Sequence, residues 1–452
     1  MAMNLYKGGK PYFFAFTIIF FASCSVQKKI GRSADQFMLG DSSFVTAHTG
    51  ISVYDAGAKK YLYNYQGDQF FVPASNTKIP TIFAAMKFLG DSIVAGSVAR
   101  DDDGARLVFP AGDPTFLHPD YKNQPLYETL KNEKTIRWNL TDWKTKHWGN
   151  GWAWNDYDAT YMAERSPFPV YGNVLLFNLV NNTLNSFPIP VKIYSTHLDT
   201  VIDYKYATGF VKSNRFRIDR AIDENEFYIR PSSSAFTHAN FPYRAHPGFV
   251  SDLLADTLGA ENVSTFSIAE GYNIKAPKEI IYSQPLDSML KPLMYRSDNF
   301  FAEQTLLMVS HALFGVMDES LAIDTMMKTE FRNLQQKPRW ADGSGLSRYN
   351  LFTPQNFIAI LEKMKDQFGM DRLKNIFATG NTGTLRNYYV ADSTFFYAKT
   401  GTLGGVVALS GFLITKKNKL LIVSVLVNNH RASSTDIRRG VEKFIQELRR
   451  KY

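Results

Sequence analysis

Pro73-Ala74-Ser75-Asn76-Thr77-Lys78 is the stretch on which the reading of the chain turns. Serine is a weak nucleophile near neutral pH and needs an adjacent base, and a lysine partly stripped of water can lose its proton and serve as one. A spacing of three residues on a helix puts both side chains on one face, a turn apart. From Thr77 to Leu89 the apolar positions Ile79, Ile82, Phe83, Met86 and Leu89 recur at helical spacing and Gly90 closes the segment, so Ser75 stands at or just before a helix start. Pro80 falls inside that helix, where it is expected to remove a backbone bond and bend the first turns.

The spacing alone proves little, because Ser25-Lys28 and Ser288-Lys291 repeat it. Ser25 adjoins Cys24, and Ser288 follows Asp287 ahead of a proline-broken segment, where it is expected to cap a helix. What singles out Ser75 lies far downstream. The chain holds one Ser-x-Asn, at Ser297-Asp298-Asn299, and one Lys-Thr-Gly, at Lys399-Thr400-Gly401. The first supplies a hydroxyl that can relay a proton to a leaving amine and an amide that can grip a peptide bond. The second precedes an apolar strand; Lys399 brings positive charge, and the hydroxyls of Thr400 and Thr402 can bind a substrate carboxylate.

The two ends of the chain read as one sheet. Thr49 to Tyr54 and Tyr61 to Tyr65 alternate as strands around Asp55-Ala56-Gly57, and Val406 to Ile414 and Leu420 to Asn428 are apolar, β-branched runs joined by Lys416-Lys417-Asn418-Lys419. Asp436 to Leu448 places Ile437, Val441, Phe444, Ile445 and Leu448 on one helical face, which predicts a terminal helix packed on that sheet. Between lies a stretch of different texture. Five of the six tryptophans fall within residues 138–154, and strand-like pieces such as Val174 to Val180 recur. Aromatics at this density more often fill a small core than form a sugar-stacking platform. The Asp342 to Arg348 segment reads as a tight glycine turn and not as a catalytic element. Residues 24–98 and 281–452 are therefore expected to form a discontinuous catalytic domain, with 99–280 as an inserted, mainly β region in an α+β fold.

The N-terminus reads as an export signal. Lys7 and Lys10 precede an apolar run from Tyr12 to Ala22 that ends in Phe21-Ala22-Ser23-Cys24. That run is about half the roughly 20 residues a spanning helix needs. It resembles a bacterial lipoprotein box, which implies cleavage after residue 23, lipidation of Cys24 and attachment to a membrane outside the cytoplasm. The formal charge of +9 falls to +7 once residues 1–23 leave with their two lysines. Nucleic acid is excluded as a partner by export, and a mild basic excess suits an anionic wall polymer or a carboxylate substrate. The eight histidines form no His-Glu-x-x-His pair, a single cysteine makes no thiolate zinc site, and no Gly-x-Ser-x-Gly elbow occurs, so neither metal nor cofactor is expected.

With these residues the chain resembles the D-alanyl-D-alanine carboxypeptidase/endopeptidase (DacB-like) family of penicillin-binding proteins. Further segments carry the likeness: Gly112-Asp113-Pro114-Thr115, Gly151-Trp152-Ala153-Trp154, Ala302-Glu303 after the Ser297 to Asn299 motif, Asp342-Gly343-Ser344-Gly345-Leu346-Ser347-Arg348, and Lys399-Thr400-Gly401-Thr402-Leu403. The chain departs from the family in Phe109-Pro110-Ala111, where more glycine is usual, and in Arg386, which follows Gly383-Thr384-Leu385 at once. The resemblance implies a β-lactamase/transpeptidase-like antiparallel sheet flanked by helices. It implies an acyl-enzyme on Ser75 with Lys78 as base, Ser297, Asn299 and Lys399 in catalysis, and Thr400, Gly401 and Thr402 in substrate binding. It further implies peptidoglycan stem peptides as substrates and β-lactams as covalent inhibitors. A serine β-lactamase shares the motifs, and Tyr171-Gly172-Asn173 fits one type of it, but the 222 positions between Ser75 and Ser297 exceed what a compact β-lactamase uses. A non-catalytic wall-binding lipoprotein is the alternative from another class.

Overall fold

Four long antiparallel strands anchor the first part of the computed structural model, which describes residues 26–189, 191–195, 209–210, 214–267 and 278–452. The export signal and Cys24 lie outside the described residues. By its internal contacts the chain divides into two units, the first made of residues up to Asn76, Leu351–Gly369 and Ala378–Tyr452, the second of Thr77–Asn350 and Met370–Phe377.

In the first unit six strands form one antiparallel sheet in the order Ala378–Thr379, Phe396–Leu403, Val406–Ile414, Leu420–Asn428, His48–Asp55, Lys60–Tyr65. The strands Val406–Ile414 and Leu420–Asn428 occupy the limits expected from their apolar runs. Nearly every residue in them is buried, which is why both lack polar alternation: the sheet is covered on two faces. The helix Pro354–Phe368 packs on Leu420–Asn428 and His48–Asp55, and the helix Ser434–Lys451 on Val406–Ile414. Ser433 caps the latter by accepting the Asp436 N–H at 3.1 Å, and the stripe Ile437, Val441, Phe444, Ile445, Leu448 is buried throughout. Gly440 interrupts its outer positions because a Cβ there would sit 2.7 Å from Phe44 and 2.8 Å from the Phe37 carbonyl.

In the second unit, helices Lys78–Phe88, Leu286–Tyr295, Asn299–Phe314 and Glu319–Lys328 accompany sheets of five, four and three strands. Val174–Val180 is a strand, as expected. Trp138 is buried edge-on to Phe168, with Phe177, Phe227 and Phe241 clustered in the same core. The architecture is α+β.

Two local expectations need correction. The α-helix begins at Lys78, after a 3₁₀ turn over Ala74–Thr77, so Pro80 lies in the first turn. There its missing N–H would have had no intrahelical partner, and the bend does not follow. Ser288 caps nothing at the N-terminus of its helix: Pro285 holds that position, and the Ser288 hydroxyl donates back to the Pro285 carbonyl at 2.6 Å.

Truncating the centre of the terminal stripe with Phe444→Ala is expected to lower the stability of the sheet unit by about 3–5 kcal/mol, read as a shift of its urea midpoint.

Candidate active site

The turn that carries Ser75 is held by two features of the first unit. Ala74 has a left-handed backbone, φ +47°, a conformation costly for a residue with a Cβ. Asn76 is fully buried and acts as a staple: its amide donates to the Lys399 carbonyl at 2.8 Å and accepts from the N–H and hydroxyl of Ser410 at 3.2 and 2.7 Å. The strand Phe396–Leu403 therefore lies directly against the turn. Gly401 is the point of closest approach, since a Cβ there would meet the Pro73 carbonyl at 2.7 Å and the Ser75 nitrogen at 3.0 Å. Beside it the Lys399 ammonium is fully buried and donates to the Thr400 carbonyl at 2.7 Å. Thr400 is buried, Thr402 is exposed, and the Arg438 guanidinium of the terminal helix donates to the Thr402 hydroxyl.

The second unit carries Lys78, which is fully buried at the helix start. Its ammonium donates to Asn299 Oδ1 and to the Ser344 carbonyl, each at 2.6 Å. Burial pushes its pKa down from 10.5 to about 8, while the carboxylates of Asp342, Glu303 and Asp298 oppose the drop. Asn299 is the first residue of its helix, and its Nδ2 donates to the Tyr161 carbonyl at 2.8 Å, which fixes the oxygen toward the lysine. Asp298 caps that helix by accepting the Phe301 N–H at 3.0 Å, and Ser297 before it is left-handed at φ +60°.

Behind Lys78 lies a buried charged network. Glu303 Oε1 accepts the Ser344 N–H at 2.7 Å, so the carboxylate holds the same peptide segment whose carbonyl faces Lys78. Desolvation, reinforced by the Asp342 charge, raises Glu303 to about 8, against the pull of Arg165, whose Nη1 lies 3.5 Å from Oε2. Asp342 ties the turn together, accepting from the N–H groups of Gly345 and Ser347, from Asn350 Nδ2 and from Trp152 Nε1 at 2.7 to 2.9 Å. The turn is more than a neighbour of the site, because it supplies the Ser344 carbonyl.

Of the expected residues, the first unit holds Ser75, Lys399, Thr400, Gly401 and Thr402, and the second Lys78, Ser297 and Asn299. Sequence reasoning missed Asn76, Arg438 and the role of Glu303. Only Glu303 left a signal, as the lone acid of an apolar helix, four residues and one turn beyond Asn299. Tyr171-Gly172-Asn173 serves the structure, since Asn173 is fully buried and donates to the Glu164 carbonyl at 2.8 Å and the Ser166 hydroxyl at 3.0 Å. The tryptophans divide as well, with Trp138 in the core and Trp154 71% exposed.

The family model for the D-Ala-D-Ala carboxypeptidase 3 (S13) family matches residues 35–448. DacB, a D-alanyl-D-alanine carboxypeptidase of Haemophilus influenzae, is 21% identical over 438 residues that cover 90% of this chain and 90% of its own. A D-alanyl-D-alanine carboxypeptidase of an Actinomadura species is 24% identical over 440 residues, 87% of this chain and 80% of its own. The crystal structure of penicillin binding protein 4 (dacB) from Haemophilus influenzae superimposes with a TM-score of 0.71 at 18% identity, over 93% and 98% of the two chains. That likeness carries the fold.

A lysine-resolved NMR titration is expected to place the Lys78 midpoint near 8. Glu303→Gln keeps an acceptor for the Ser344 N–H but removes a carboxyl group that, when ionised, favours the ammonium, so the midpoint moves down; an unchanged midpoint would show that the two groups are not coupled.

Proposed function

The chain belongs to the D-Ala-D-Ala carboxypeptidase 3 (S13) family, and from that premise we infer that it is a serine-type D-Ala-D-Ala carboxypeptidase of peptidoglycan stem peptides which forms its acyl-enzyme on Ser75. One observation carries the reading. A fully buried lysine with its pKa pushed down to about 8 opens the helix three residues after a serine whose turn is held in a costly conformation.

In this mechanism the neutral Lys78 takes the Ser75 proton, and the hydroxyl oxygen attacks the carbonyl between two D-alanines. The backbone N–H groups of Ser75 and Thr402 stabilise the oxyanion. Ser297 and Lys399 deliver a proton to the departing amine, which leaves as D-alanine, while Asn299 holds the peptide. Thr400 and Thr402, with Arg438 beside the latter, bind the terminal carboxylate. Water then attacks the ester, releases the shortened peptide and restores Ser75. A β-lactam acylates the same oxygen but has no small amine to release, since its leaving nitrogen stays tethered in the ring-opened product. The relatives' cell-wall activity fits export, and lipidation of Cys24 is part of the proposal. No helix among the described residues is long and apolar enough to cross a membrane.

Fluorescent penicillin is expected to label the purified protein covalently and Ser75→Ala not at all; labelling that persists in the variant overturns the assignment. The acylation rate should rise with pH up to about 8, as Lys78 loses its proton, and level off above. Turnover of a D-Ala-D-Ala peptide well above that of a chromogenic β-lactam separates this reading from a β-lactamase. Arg438→Ala should raise KM for the free-carboxylate peptide about tenfold or more, the loss of a charge-assisted hydrogen bond, with a smaller change in kcat.

A further inference from the structure

At one end of the first unit the two ends of the described chain come together. A helical stretch over residues 26–34 lies against the terminal helix: the Tyr452 hydroxyl donates to the Val26 carbonyl at 3.3 Å and Lys451 Nζ to the Ser33 hydroxyl at 3.2 Å. The turn after Val406–Ile414 joins them, with the Lys416 N–H on the Arg449 carbonyl at 3.0 Å and Lys417 Nζ on the Lys451 carbonyl at 3.3 Å. Ile30, Ser33 and Ala34 are the buried face of the stretch, while Lys28, Lys29 and Arg32 are exposed, as are Lys416, Lys417 and Arg450. The acids nearby are Asp35, Asp55 and Glu447; Asp55 pairs with Lys419 of the same turn at 3.8 Å, and Glu447 already pairs with Arg450 at 2.8 Å and Lys451 at 2.6 Å.

Only Ser25 separates Cys24 from Val26, where the packed stretch begins. At most about 7 Å of extended chain spans that gap, so a lipid on Cys24 has no linker, and the surface beside residue 26 must meet whatever the lipid enters. That surface is cationic. We propose that the end of the first unit formed by residues 26–33, 416–417 and 449–452 is a docking surface for the anionic phospholipid headgroups of a bilayer.

The sheet gives the docking a direction. Thr402 pairs with Val407 at one end of the strand Val406–Ile414, and Lys416 follows its other end. The terminal helix runs the same way, touching Thr402 through Arg438 and Lys416 through Arg449. Nine residues of strand separate the two ends by about 30 Å. Docked on its basic end, the unit holds the Thr402 end of Phe396–Leu403 away from the bilayer, toward the wall. Attachment of a lipid beside this end rests on the lipidation reading; the basic surface and the orientation that follows from docking on it do not.

The test uses the chain from residue 24 onward with Cys24→Ser, so no lipid takes part. It is expected to cosediment with vesicles of phosphatidylcholine and phosphatidylglycerol at about 3:1, not with phosphatidylcholine alone, and to lose at least about tenfold in affinity at roughly 0.5 M NaCl. Lys28→Glu/Lys29→Glu/Arg32→Glu, and separately Lys416→Glu/Lys417→Glu, should weaken binding about tenfold or more. The same charge change elsewhere, Lys122→Glu/Lys144→Glu/Lys146→Glu, should weaken it markedly less, and all three should keep penicillin labelling. Equal binding to both vesicle types, no binding to either, binding only to a soluble anionic wall polymer, or equal losses in patch and control variants would each overturn the proposal. Incorporation of labelled palmitate at Cys24 in cells tests the anchor separately.

Discussion

A buried ammonium is the constraint on which the second unit is built. Taking a lysine out of water costs several kcal/mol unless oxygen atoms replace the solvent. Asn299 and the Ser344 carbonyl supply such oxygens to Lys78, and both must be held in place. Tyr161 holds the first and Glu303 the second. Glu303 in turn requires Arg165, which also meets Glu319 at 2.9 Å, and the Ser344 turn requires Asp342, which draws in Trp152 and Asn350. A single cation thus organises segments separated by more than two hundred residues. The oxygens and the three nearby carboxylates leave the lysine between its charged and neutral forms, which suits the proposed role of a base that accepts and returns a proton.

The first unit solves a different problem, that of bringing a strand against a turn. Elsewhere in the sheet, burial on both faces makes consecutive large side chains the rule. At Gly401 the rule inverts, because the backbone of the turn occupies the space a side chain would take. Asn76 then closes the contact from the turn side, using an amide where an apolar residue would have packed but could not have met the Lys399 carbonyl.

Elements governed by local pattern could be read directly. The two hairpins and the terminal helix fall where their periodicities put them, because a two-sided buried strand and a one-sided amphipathic helix each leave a repeating signature. The Ser75 neighbourhood was legible by residue type and spacing. Its supports were not. Whether Pro80 bends a helix depends on where the helix starts, and a 3₁₀ turn leaves no periodic trace. Arg438 and Asn76 reach their partners across long sequence separations that the topology supplies. Asp342 to Arg348 was recognisable as a turn, but that one of its carbonyls faces Lys78 follows from packing alone.

The Gly401 contact also constrains how this enzyme could escape an antibiotic. Around the turn, Asn76 is committed by its amide and Gly401 by its lack of a side chain, so neither tolerates substitution without displacing Ser75. The same rigidity serves stem peptide and drug alike and offers nothing with which to tell them apart. In this unit, room for adaptive change begins at the exposed Thr402 and the residues that follow it, Leu403 and Gly404. Resistance arising here would therefore be selected at the rim of the strand, through altered fit to the bulk of the inhibitor, and not at the nucleophile's own supports.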